Sequence, residues 1–83
     1  RKGPAEFSAW DCYQRGYFHL WGFTVPSFAE AERCFRRAVE IEPEMARAHA
    51  ALSYVFLYRA IYEEPEMRRG LLEMATASAM RAV

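Results

Sequence analysis

The stretch from Ala31 to Leu52 constrains this chain most. Ala31, Phe35 and Ala38 lie four and three residues apart, so they share one face of a helix. Pro43 then ends that helix, because proline has no N–H to continue the ladder and biases the residue before it away from helical angles. A second apolar segment, with Ala48 and Leu52, begins at once. Two helices with small-residue faces, joined by a turn that short, must fold against each other. The chain is therefore expected to be all-α, with no segment alternating at the two-residue period of a strand.

Reading outward from that joint gives four helical segments, at about 6–21, 25–41, 45–62 and 65–82. Ser8 with Asp11 is a capping pair for the first, and Thr24 with Pro26 for the second. Glu32, Arg36 and Glu40 recur at four-residue steps and read as a solvated outer face of segment two. Segment three is apolar almost all round, from Ala46 to Tyr58, so it is expected to be covered on more than one side. Glu63 and Glu64 before Pro65 read as a helix-start charge pair. The inward face of segment four is expected to carry Leu71 or Leu72, Ala75, Ala79 and Ala82. Gly70 weakens its first turns. Arg1 to Pro4 reads as linker, and residues 5–83 as the folded unit.

Composition removes several function classes. Lys plus Arg and Asp plus Glu both number 11, which leaves no basic excess to neutralise a nucleic-acid backbone or an anionic membrane. No apolar run is long enough to span a bilayer. Cys12 and Cys34 form no CxxC and have no histidine at ligand spacing. They read as buried free thiols in a reducing, cytoplasmic compartment. His19 and His49 read as core or boundary histidines rather than as bases or ligands. No catalytic triad, phosphate loop or metal-ligand spacing occurs, so the expectation is no enzyme, no cofactor and no metal.

The matched small residues of the four segments point to a helical repeat. In the run AEAERCFRRAVEIEP, the positions Ala31, Phe35, Ala38 and Pro43 resemble the second-helix pattern of the tetratricopeptide repeat family. The next first helix follows in register, with His49 at the Trp-like place, then Leu52, Ser53 and Phe56. Gly16 fits the small place of the earlier repeat, and Ala75, Ala79 and Ala82 fit the last helix. Repeat one spans about 9–43, and repeat two about 46–83, where the array is cut short. Two spacings depart from the pattern. Gly16 to Ala31 is three residues longer than in the family, and Ser53 to Ala75 is ten longer.

The resemblance implies two antiparallel helix pairs stacked as part of a right-handed superhelix, with a concave side lined by the first helix of each repeat. On that side it places Trp10, Tyr13, Tyr17, Leu20 and Trp21, then Arg47, Ala50, Tyr54, Leu57 and Tyr58. Lys and Asn residues that grip a carboxylate in the chaperone-binding members are replaced here by Tyr13, Tyr17 and Ala51. The implied function is protein–protein interaction, with a peptide or helix held in an aromatic groove. Two alternatives stand beside it. One is self-association through exposed repeat ends, and the other is a regulatory appendage of a larger signalling enzyme or transcription regulator.

Overall fold

A computed structural model describes residues 8–62 and 65–83, which form four helices: α1 (Ala9–Leu20), α2 (Val25–Ile41), α3 (Ala46–Tyr62) and α4 (Pro65–Arg81). No strand occurs among the described residues. The expected linker at 1–4, the start of the first segment at Glu6 and the Glu63–Glu64 pair lie outside them.

Local chemistry explains the boundaries. The Ser8 side chain accepts the Asp11 N–H at 3.1 Å, and the Asp11 carboxylate accepts the Ser8 N–H at 3.0 Å. This reciprocal cap satisfies two N–H groups that have no partner within the helix. Ser8 itself is extended, so α1 starts at Ala9. Thr24 and Ser27 form the same reciprocal cap on α2, with Pro26 in its first turn, where a missing N–H costs nothing. At the other end Glu42, the residue before Pro43, leaves the helical region and closes α2 at Ile41.

The chain makes two antiparallel hairpins, α1–α2 and α3–α4, and α3 packs against both helices of the first hairpin. Ala9 and Cys12 at the start of α1 meet Ala38 near the end of α2 and Ala48 of α3. Leu20, Phe28, Ala31 and Phe35 run into Ala51, Leu52, Val55 and Phe56, and then into Leu71 and Ala75 of α4. The all-round apolar character of α3 thus has its reason in its contacts with all three other helices. The molecule is only 16 Å across its thinnest direction, so the core is thin and each large side chain in it matters.

Gly16 sits where α1 crosses Phe35. A Cβ there would stand 2.4 Å from a ring carbon of Phe35, so only glycine lets the helices approach this closely. His49 is buried and donates its Nε2–H to the Pro43 carbonyl at 2.8 Å, tying α3 to the turn before it. A histidine with that contact is a structural tether.

Three expectations require correction. Glu32 is not an outer-face residue: its carboxylate takes Arg36 at 2.8 Å on its own helix and Arg59 of α3 at 2.5 Å. With Arg36 lying 5.5 Å over the Phe56 ring, this makes a charged clasp between the hairpins. Glu40 pairs with Arg37 rather than with Arg36. On α4 the buried residues are Leu71 and Ala75, with Ser78 and Ala82 half-buried, while Leu72 and Ala79 are exposed. The covered line therefore steps through 71, 75, 78 and 82, because α3 shields only that side.

Candidate functional site

The aromatic residues of α1 and its C-terminal cap form one row. Along α1, Trp10 stacks on Tyr13 with ring centroids 5.2 Å apart. Tyr13 meets Tyr17 edge-on at 5.1 Å, and Tyr17 stacks on Trp21 at 6.4 Å. Steps of three and four residues on a helix produce this row without any turn chemistry. Tyr13 and Tyr17 rest on Phe35 of α2, at 6.0 and 5.2 Å, so the row has a rigid floor.

Tyr54 and Tyr58 of α3 stand close enough to Tyr17 to influence its ionisation. Arg47, in the first turn of α3, lies 5.7 Å over the Trp10 ring and marks one end of the strip. Among the described residues Arg47 has no carboxylate partner. Trp10, Trp21 and Tyr54 are exposed, whereas Tyr13, Tyr17 and Tyr58 are half-buried. The strip is thus a surface with a packed base.

Two residues expected on this face belong elsewhere. Leu20 is buried in the core, in the same cluster as Phe28 and Val55. Leu57 points toward α4, where it lines an apolar groove of about 740 Å³ with Tyr54, Ile61, Arg68 and Leu72. Smaller grooves continue along α4 past Ala79 and Met80.

One residue that pattern reading left out joins the strip. Phe23, in the α1–α2 turn, has a left-handed backbone (φ 52°), a strained choice for a bulky residue. Its ring touches Trp21 at 5.6 Å, Phe28 at 6.0 Å and Tyr58 at 5.4 Å. The bridge from α1 to α3 thus runs through a turn residue, and Phe28 carries it on to Tyr62 at 5.6 Å. The signal in the sequence was the run Trp21-Gly22-Phe23, where a glycine permits a tight turn between two large rings.

Burial pushes the Tyr17 hydroxyl up to about 12, helped by the neighbouring Tyr13 phenol and a hydrogen bond to it, and then by Tyr54 and Tyr58. Ionisation of the unfolded chain's tyrosine near 10 therefore favours unfolding. The stability tied to Tyr17 is full below pH 10 and is lost as pH rises from about 10 to 12. Ultraviolet titration should find one tyrosine ionising about two pH units later than the ordinary value of 10, and Tyr17→Phe should remove that late step.

The chemistry of catalysis is thin. No group of three or more metal-ligating side chains converges among the described residues. Cys12 and Cys34 are free thiols lining a small pocket with Arg15, Glu30, Arg33 and Arg37; Cys12 is buried as expected, but Cys34 is only half-buried. Burial raises Cys34 above the usual thiol range, with Arg15 opposing it, so Cys34 is a poor nucleophile. No helix among the described residues is long and apolar enough to cross a membrane. No family model, curated protein or solved structure matches the chain.

Proposed function

We propose that this chain is a tetratricopeptide-like protein-interaction module that holds a peptide or helix of a partner protein along the strip Trp10, Tyr13, Tyr17, Trp21, Arg47, Tyr54 and Tyr58. One observation carries the reading. A row of large aromatic rings is held on a packed base yet left open to solvent, with Trp21 64% exposed. Tyrosine, tryptophan and arginine are the residues that dominate binding energy at protein interfaces. Rings already fixed by Phe35 lose little further freedom when a ligand arrives. The module acts as a non-enzymatic binding surface, without cofactor, nucleic acid or membrane. Its free thiols suit a cytoplasmic setting.

The test is a peptide selected from a displayed random library, measured against the chain and against the Tyr17→Ala/Tyr54→Ala double variant. Loss of at least tenfold in affinity is expected, since each interface aromatic contributes about 1 kcal/mol or more. Equal affinity for a double variant that keeps its helical signal and melting transition would contradict the reading.

The apolar grooves beside α4 favour a second reading, self-association. Sedimentation over a concentration series separates it: a strict monomer at high concentration removes it.

A further inference from the structure

The strip's own chemistry narrows its ligand. Trp10 and Trp21 are eleven residues apart along α1 and its C-terminal cap, so the row is roughly 16 Å long. It is one ring wide on α1; a second rail on α3 starts at Tyr58, which meets Trp21 through Phe23, with Tyr54 one helical turn away. The hydroxyls of Tyr54 and Tyr58 make no hydrogen bond among the described residues. The rails thus offer phenol donors beside flat aromatic faces. A helical partner has used most of its carbonyls internally and has few to give these donors. Strand addition needs a sheet edge, and the described residues have none.

A polyproline II segment suits all of these features. It has no internal hydrogen bonds, so its carbonyls are free to accept from phenols. Its pyrrolidine rings lie flat on tyrosine and tryptophan faces, and its fixed backbone loses little entropy on binding. At about 3.1 Å per residue, roughly five residues cover the row.

One end of the strip also has a charge to satisfy. No strip residue carries a carboxylate, and Arg47 stands over Trp10 in the first turn of α3. A positive side chain there opposes the helix dipole, and α3 has no acid in that turn to offset it. Arg47 therefore gains most from an anion brought by the ligand.

We propose that the strip binds an extended, proline-rich protein segment in the polyproline II conformation, with a carboxylate at the end that reaches Arg47. This rests on the strip being a peptide site, and it names the class of peptide.

The probes are three synthetic peptides of equal length: one of five prolines flanked by aspartates, the same core flanked by lysines, and an alanine-rich helical peptide flanked by aspartates. Binding is read from the indole resonances of Trp10 and Trp21 in the intact chain. The aspartate-flanked proline peptide should bind tightest. Exchange of its aspartates for lysines should weaken it roughly fivefold, and Arg47→Gln or high salt should abolish that preference. Tyr54→Phe, at an exposed position where folding is not at stake, should weaken it roughly fivefold by removing one donor.

Tighter binding of the helical peptide at the strip would overturn this proposal and leave the groove reading standing. So would proline-peptide binding that ignores both Tyr54→Phe and Arg47→Gln. If the proline peptides leave the indoles unmoved while a library-selected peptide moves them, only this proposal falls. If no peptide moves them, both fall.

Discussion

Phe35→Ala is expected to remove about 3–5 kcal/mol of stability, more than any other single truncation near the strip. Phe35 is fully buried, at 0% exposure, and forms the floor on which Tyr13 and Tyr17 stand. Its loss leaves a cavity under α1 as well as the transfer cost of the ring. A domain of this size has roughly 4–12 kcal/mol in total, so the variant should be largely unfolded well below the wild-type urea midpoint. Tyr17 should also titrate earlier, since burial is the main cause of its raised value. Urea melts followed by circular dichroism measure the first effect. A midpoint unchanged within experimental error would mean that Phe35 does not bridge α1 and α2.

Gly16→Leu is expected to cost about 3 kcal/mol, against the direction of helix propensity. Replacing a mid-helix glycine ordinarily stabilises a helix by about 1 kcal/mol. Here any Cβ would meet three ring carbons of Phe35, at 2.4, 2.6 and 2.7 Å. The ring cannot swing away, because Tyr13 and Tyr17 confine it. Contact of this kind makes the two sites non-additive. Gly16→Ala should therefore destabilise the native chain but become neutral or stabilising when Phe35 is leucine. Simple additivity between the two substitutions would show that helix α1 does not cross Phe35 at Gly16.

The sequence reveals this contact because glycine, alanine and phenylalanine at Gly16, Ala31, Phe35 and Ala38 leave few ways for two helices to pack. The helix ends were legible for a similar reason: Ser8, Thr24 and Pro43 act within a few residues of their own positions. Features that depend on distant partners were not. Glu32 looks like a surface residue until α3 brings Arg59 to it, and nothing local signals a partner 27 residues away. Leu20 lies three residues from Tyr17, and periodicity alone puts both on one face. The face is broad enough that Tyr17 reaches the strip while Leu20 enters the core. Ala79 fits a small-residue pattern, yet it remains exposed because exposure depends on which side α3 covers. Phe23 was passed over as turn sequence, although its left-handed backbone aims a ring into the aromatic bridge.

The candidate site follows the same division. Trp10, Tyr13, Tyr17 and Trp21 were legible as one row because they recur at helical spacing on one segment. Tyr54, Tyr58 and Arg47 were expected beside them only from the resemblance to a repeat family, which depends on the Ala31–Leu52 joint. The place of Phe23 beside Trp21 and Tyr58 needed the three-dimensional path of the turn.

The central claim is that a partner binds on this strip and not on the apolar face beside α4. The most direct measurement is a two-dimensional NMR titration of the labelled chain with a library-selected peptide. Shifts are expected to concentrate at Trp10, Tyr13, Tyr17 and Trp21, with Leu72, Thr76 and Met80 unmoved. Shifts confined to Leu72, Thr76 and Met80, with the indoles of Trp10 and Trp21 unchanged at saturation, would contradict the claim.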